Sequence, residues 1–265
     1  MPASGSGTAW HDFYEYCHSC QWSIAVDPGK VAAGWRIPRT NILAQPPNWP
    51  NSLQERAMIE DMVYLTDVAE LRPLYRDPTA MVIEKQIDWI DPHSRNFIAR
   101  SPFVVIGSAD PLRSMDVSPR GDPPGFVKVL DQHHLAIPDR PGNNRLDTME
   151  NLLRNPQIGL LFMIPGIGDI LRINGTARLT RDEALLHILT IDGKPPKLAV
   201  VVRATEVFLH CARAVMRARL WSGDYRLERA QLPTLGQMIV AQARSIGLTA
   251  EEADTRIDAA YRNLY

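Results

Sequence analysis

Apolar positions recur in two rhythms along the chain, and the switch between them falls near residue 101. Before it the spacing is helical. Residues 52–65 open with a Ser52-x-x-Glu55 capping pattern, and Thr66 to Leu71 forms a second helical stretch that ends by Asp77-Pro78. Thr79 to about Ile90 and Pro92 to Arg100 predict two more helices. From Ser101 the texture is β. Phe103–Ile106, Gly125–Leu130, His134–Ile137, Ile158–Ile164, Ile170–Leu179 (broken at Asn174-Gly175) and Leu198–Phe208 read as six strands. Mostly short links, with internal helices only at about 144–154 and 181–188, favour an antiparallel barrel over alternating βαβ units. Leu235 to Gly247 and Thr249 to Leu264 predict two amphipathic helices at the end.

Two arginine-rich, glycine-punctuated segments interrupt the strands: Asp116-Val117-Ser118-Pro119-Arg120-Gly121-Asp122 and Pro138-Asp139-Arg140-Pro141-Gly142-Asn143-Asn144-Arg145-Leu146-Asp147. The second runs into the apolar-periodic stretch Leu146, Met149, Leu152, Leu153, which puts Asn143, Asn144 and Arg145 at a helix start. Unpaired backbone N–H groups and the helix dipole favour an anion there. Arg120 and Arg140, at neighbouring strand ends, would add bidentate forks, so the pair of segments reads as a phosphate cradle. The competing reading is a structural ion network in which these arginines pair with Asp116, Asp122, Asp139 and Asp147.

Composition narrows the class. With 265 residues, 45% hydrophobic and 22% charged, the chain can bury a large core. A net charge of −1 argues against an extended nucleic-acid footprint. No apolar run has the length of a membrane span, and the first residues lack a basic region followed by an apolar one, so a cytoplasmic protein is expected. Residues 1–50 hold four of the six tryptophans and six prolines with little periodicity. That segment is too aromatic for a free tail, and it is expected to wrap the body or a partner subunit, as a lid or dimer-wrapping extension to a main domain of residues 51–265.

Smaller constellations carry less. Cys17-x-x-Cys20 with His11 and His18 has half-site metal spacing, but nothing completes it; no metal is assigned, and the three cysteines make no disulfide framework. Gly166-Ile167-Gly168 lacks the third glycine of a dinucleotide fingerprint and reads as a hairpin loop. His133-His134 reads as the polar start of a strand. His210-Cys211 stands at a strand-to-helix transition, where Arg213 and Arg217, at i, i+4, present two cations on one face. A buried cysteine beside a backbone-bonded histidine would explain the pair equally well.

The ordered set Ser101-Pro102-Phe103, Asp116-x-Ser118-Pro119-Arg120-Gly121-Asp122-x-Pro124-Gly125-Phe126-Val127, Pro138-Asp139-Arg140-Pro141-Gly142-Asn143-Asn144-Arg145-x-Asp147, Asn151 and Leu171-Arg172-x-Asn174-Gly175 resembles the pyridoxamine 5′-phosphate oxidase-like flavoproteins. The resemblance spans roughly residues 66–235 and leaves residues 1–50 outside. It implies a mainly β, FMN-binding split β-barrel with flanking helices, working as a homodimer with one FMN at each end of the subunit interface.

By the same resemblance, Arg120, Asn143, Asn144 and Arg145 would hold the FMN phosphate. Ser118 and Pro119 would lie along the ribityl chain or the ring edge, and Arg140 would serve phosphate or substrate. The Glu206–Trp221 segment would approach the partner's flavin, which adds Arg217 to the cofactor-binding set and makes His210, Cys211 and Arg213 the catalytic candidates. The basic, histidine-containing C-terminal signature of true pyridoxamine phosphate oxidases is missing, so vitamin B6 oxidation is not expected. The implied function is an FMN-dependent oxidoreductase acting on a small organic substrate with NAD(P)H or another electron donor. The alternative is a non-enzymatic flavin- or haem-binding carrier or sensor.

Overall fold

The computed structural model describes residues 61–265, apart from Arg113 and Arg244. The 1–50 extension, Cys17 and Cys20, and most of the helix expected over 52–65 lie outside the described residues; within them, 62–65 is not helical. Among the described residues, three α-helices precede the sheet: α1 (Val68–Leu71), α2 (Ala80–Glu84) and α3 (Pro92–Arg100). Asp91 caps α3 by accepting from the Ser94 amide at 2.8 Å, and Pro92 occupies the first turn, where its missing N–H costs nothing. The helix expected over Thr79–Ile90 stops at Glu84, because Ile87 turns extended and bridges Val207.

Seven strands follow: β1 (Phe103–Ala109), β2 (Met115–Gly121), β3 (Lys128–Val129), β4 (His134–Pro138), β5 (Gln157–Met163), β6 (Ile170–Thr180) and β7 (Ala199–His210). They form one antiparallel sheet in the order β2-β1-β5-β6-β7-β4-β3. The strand expected over Gly125–Leu130 is reduced to two paired residues. Phe126 and Val127 still bury their side chains, but from a loop that Pro123, Pro124 and the left-handed Gly125 hold out of the ladder. The seventh strand, β2, was not among the six expected.

Between strands lie α4 (Asp147–Arg154) and α5 (Glu183–Ile188); α6 (Arg213–Arg217), α7 (Leu235–Gln242) and α8 (Ala250–Tyr261) follow the sheet. Thr234 with Gln237 and Thr249 with Glu252 make capping boxes that start α7 and α8. No helix among the described residues is long and apolar enough to cross a membrane.

The main core joins Val104 and Ile106 of β1, Leu135 and Ile137 of β4, Leu160 and Phe162 of β5, Leu171 and Ile173 of β6, and Val200 and Val202 of β7, with Ile98 of α3 and Met149 and Leu152 of α4. Each such side chain contributes about 1.5–3 kcal/mol on burial. The two edges of the sheet, β2 and β3, do not pair with each other. Side chains bridge across instead: Arg120 of β2 pairs with Asp139, just after β4, and Asp122, just after β2, pairs with Arg140. The sheet therefore coils until its β2 edge meets the end of β4.

Candidate functional site

At that seam lies a cavity of about 310 Å³ lined by Ser118, Arg120, Asp139–Thr148 and Lys197–Leu198. Its walls come from three parts of the chain. The inward face of β2 supplies Ser118 and Arg120, the loop after β4 supplies the rim, and the approach to β7 supplies Lys197. Helix α4 fixes the far wall. Thr148 donates to the Ser118 hydroxyl at 3.0 Å, and the buried Asn151 donates to Ser108 at 3.1 Å and to Asp116 at 2.7 Å. Asn144 and Leu146 both adopt left-handed φ, and the helix begins at Asp147 without a side-chain cap, so its first-turn amides stay open to an anion. Asn143, Asn144 and Arg145 thus lie in the loop two to four residues before Asp147, where the helix begins, three residues later than its expected start near 144.

The sequence left a cradle and an ion network as alternatives, and the structure contains elements of both. Arg140 donates from Nε to Asp122 at 2.6 Å and from an Nη to the Leu189 carbonyl at 3.0 Å; its side chain is 15% exposed and that of Asp122 0%. Arg120 pairs with Asp139 at 2.8 Å in a half-buried setting. Arg145 pairs with Asp147 at 2.9 Å, but at 72% and 37% exposure, where the pair is easily exchanged for a ligand. Lys197 has no ion pair among the described residues. Asp116 makes no arginine ion pair among the described residues and instead accepts from Asn151. The cavity lining carries four cations against two carboxylates, Asp139 and Asp147.

Six of the eight expected cofactor-binding residues (Ser118, Arg120, Arg140, Asn143, Asn144 and Arg145) line this one cavity. Pro119 is on β2, but on the opposite face, because alternate residues of a strand point to opposite sides. Arg217 is in α6 beyond the far end of β7, with the catalytic candidates His210, Cys211 and Arg213. Cys211 is exposed, which removes the reading of it as a buried packing residue. His210 packs its ring on Phe208 with centroids 4.9 Å apart, and burial, aided by the charges of Arg172 and Lys85, pushes its pKa below the usual histidine value.

In the Leu171-Arg172-x-Asn174-Gly175 stretch, Leu171 enters the core while Arg172 and Asn174 take the outward face of β6. There Arg172 stacks over Phe208 at 4.2 Å and pairs with Glu206, which also accepts from Asn174 at 2.9 Å. The Gly166–Gly168 stretch is the β5–β6 hairpin loop, and His134 opens β4 with its ring bonded to Asp131 at 2.9 Å.

Three residues of the site were missed in the sequence. Lys197 gives only the weak signal of a basic residue just ahead of an apolar strand. Thr148 is one hydroxyl in an amphipathic helix. Tyr265 has no local signal at all, yet it donates its phenol hydrogen to Asp122, and its ring lies 5.9 Å from the Arg140 guanidinium. The bond to Asp122, with burial, raises the Tyr265 pKa above the ordinary tyrosine value, so it remains a donor across physiological pH.

Residues 90–211, from just before α3 to the end of β7, match the family model of pyridoxamine 5′-phosphate oxidase, the family that the motifs resemble. No curated protein matches the chain. Among solved structures it is similar to HupZ from Group A Streptococcus, with 14% identity over 45% of this chain and 93% of that one and a TM-score of 0.38. It is also similar to an FMN-binding protein from Syntrophomonas wolfei, with 11% identity over 60% and 97% and a TM-score of 0.36. A third is a protein related to general stress protein 26, of the pyridoxinephosphate oxidase family, from Clostridium acetobutylicum, with 16% identity over 46% and 94% and a TM-score of 0.32.

Proposed function

We propose that the chain is an FMN-dependent oxidoreductase acting as a homodimer on a small organic substrate, with NAD(P)H or another donor supplying electrons. The observation that carries this reading is the cavity at the β2–β4 seam, where Arg120, Arg140, Arg145 and Lys197 converge beside an uncapped helix start in a chain segment that matches the pyridoxamine 5′-phosphate oxidase family model. A terminal phosphate is a dianion, and this donor set fits it. Arg145 and Lys197, the least committed cations, would hold the phosphate with the open amides of α4. Arg120 would add a donor from the β2 wall, and the bonded Ser118–Thr148 hydroxyls would face the polyol. When bound, the flavin supplies the two-electron chemistry, and the chain supplies position and field.

In one protomer the catalytic candidates stand at the other end of β7, about 35 Å along the strand at the usual rise per residue. A second copy would bring its His210, Cys211 and Arg213 to the first copy's cavity. Two apolar residues of the outward β2 face, Met115 and Val117, are 68% and 69% exposed, which suits such a partner. Residues 1–50 are proposed to contribute to turnover, and their deletion should change substrate kinetics while leaving the fold intact.

The test is the visible spectrum of the purified protein, with any released chromophore identified by mass, followed by reduction with NADH, NADPH or small organic donors. FMN near one per chain that is reduced and reoxidised with turnover supports the proposal. A colourless protein that takes up no added FMN overturns it, and a tightly bound flavin that no donor reduces would favour the carrier or sensor instead.

A further inference from the structure

Arg140 lines the cavity but is already committed. Its Nε is held by Asp122, one Nη by the Leu189 carbonyl, and its face lies near the ring of Tyr265. Asp122, whose side chain is wholly buried, is shared between Arg140 and the Tyr265 hydroxyl. The main-chain oxygen of Tyr265 accepts from Lys194 Nζ at 3.0 Å, which ties the segment after α8 to the α5–β7 connection. Tyr265 is thus held by its hydroxyl, its ring and its main chain, all on elements that converge at the seam.

The consequence falls on the loop. Pro141 to Leu146 form the cavity rim, and Arg140 is the residue from which that loop departs. Its other end is fixed by α4, through Thr148 on Ser118 and Asn151 on Asp116 and Ser108. Between the anchors, Asn144 and Leu146 hold left-handed conformations that non-glycine residues enter at a cost, so the rim keeps its shape only while both ends are clamped.

We infer that Tyr265 is a positioning residue for the cofactor cradle: acting through the Asp122–Arg140 pair, it clamps the start of the 141–146 rim and so sets how tightly the cavity holds a flavin phosphate. The inference rests on the proposed FMN reading for the ligand, and on geometry alone for the clamp. It assigns the segment after α8 to the binding site, although it touches none of the ligand.

Two measurements on the full chain test it. In apo protein, Tyr265→Ala should speed hydrogen exchange of the Arg145 amide, which donates to Asn143 Oδ1 at 3.0 Å, severalfold without changing exchange in β5 and β6, and Tyr265→Phe, which keeps the ring, should give a smaller rise. In FMN titrations followed by flavin fluorescence, Tyr265→Ala should weaken binding by about tenfold, the size expected for losing a hydrogen bond to a charged group. Combined with Arg140→Ala, it should cost little more than Arg140→Ala alone, since both act through one pair. Unchanged rim exchange in Tyr265→Ala, or full additivity of the two affinity losses, overturns the clamp and leaves the FMN reading standing. Wild-type protein that takes up no FMN while the rim exchange still responds overturns the FMN reading, and with it the role assigned to Tyr265 in holding flavin.

Discussion

Two arginines in the same cavity, Arg140 and Arg145, stand five residues apart and do different work. Arg140 has a buried carboxylate, a carbonyl and an aromatic ring around it, and only 15% of its side chain is exposed; Arg145 bonds Asp147 directly, with 72% of its side chain exposed. A charge taken out of water must be fully partnered, and once partnered it becomes part of the fold. An exposed pair gains little from its partner, so the cation stays available to an incoming anion. Burial, more than residue type, therefore sorts the arginines of the motif into those that close the sheet and those free to bind. Arg120, half-buried against Asp139, lies between the two.

The comparison breaks most visibly at Asp122. Asp122→Ala would leave Arg140 buried without its counter-charge, and chemical denaturation should show a loss of about 3–5 kcal/mol. A loss below about 1 kcal/mol, the range of exposed pairs, would mean that Arg140 relaxes into water and that the two arginines are equivalent. Arg145→Ala should do the opposite. Its stability should stay close to that of the unmutated protein, while FMN affinity falls by about 10- to 100-fold, as expected for one charge-assisted bond to phosphate. Arg120→Ala should show both effects in moderation, a loss of about 1–3 kcal/mol together with weaker FMN binding. Measuring stability and affinity on the same variants separates these roles.

The smallest effect belongs to His210, far from the seam. Its folded-state pKa is lowered by burial and by the Arg172 and Lys85 charges, so below about pH 6.5 the unfolded chain takes up the proton first and stability falls with decreasing pH. Above that value both states are neutral and the histidine contributes no pH dependence. His210→Gln should flatten this part of the stability profile, and an unaltered slope would assign it to another group.

The sheet was legible wherever the apolar pattern was dense. The strands β5, β6 and β7 run close to their expected limits, and α3 matches its expected span, because continuous apolar runs and a proline in the first turn leave few alternatives. β2 was overlooked for a physical reason. Its inward positions are Asp116, Ser118 and Arg120 and its outward ones Met115, Val117 and Pro119, the inverse of an ordinary half-buried strand, and the residues stood out as chemistry before they could be read as pleat. Pro119 is tolerated because β2 is an edge. The cradle motif itself was readable, including its ambiguity, since arginines alternating with aspartates support either reading until burial is known. Lys197 and Tyr265 were not readable, because the coiling of the sheet brings them to the motif from far along the chain.

The break at Asn174/Gly175 has a consequence for heredity as well as for shape. Opposite it Thr205 is an extra residue in β7: Asn174 pairs with Glu206, but Gly175 pairs with Ala204. On one side of the bulge Val200, Val202 and Ala204 point inward, and on the other Val207 does, so the parity of the strand is reversed there. Gly175 has to lack a side chain, since a Cβ would come within 2.0 Å of the Arg203 carbonyl oxygen. Loss of the one codon for Thr205 would therefore close the bulge without turning any other side chain, since Glu206 would still face Asn174 and Ala204 would still face Gly175. Loss of the codon for a regularly paired residue such as Val202 would instead reverse every position between it and the start of the strand, turning Val201 toward the core and rotating Leu198 and Lys197 away from the cavity, a far heavier lesion than almost any single-letter change in the same strand.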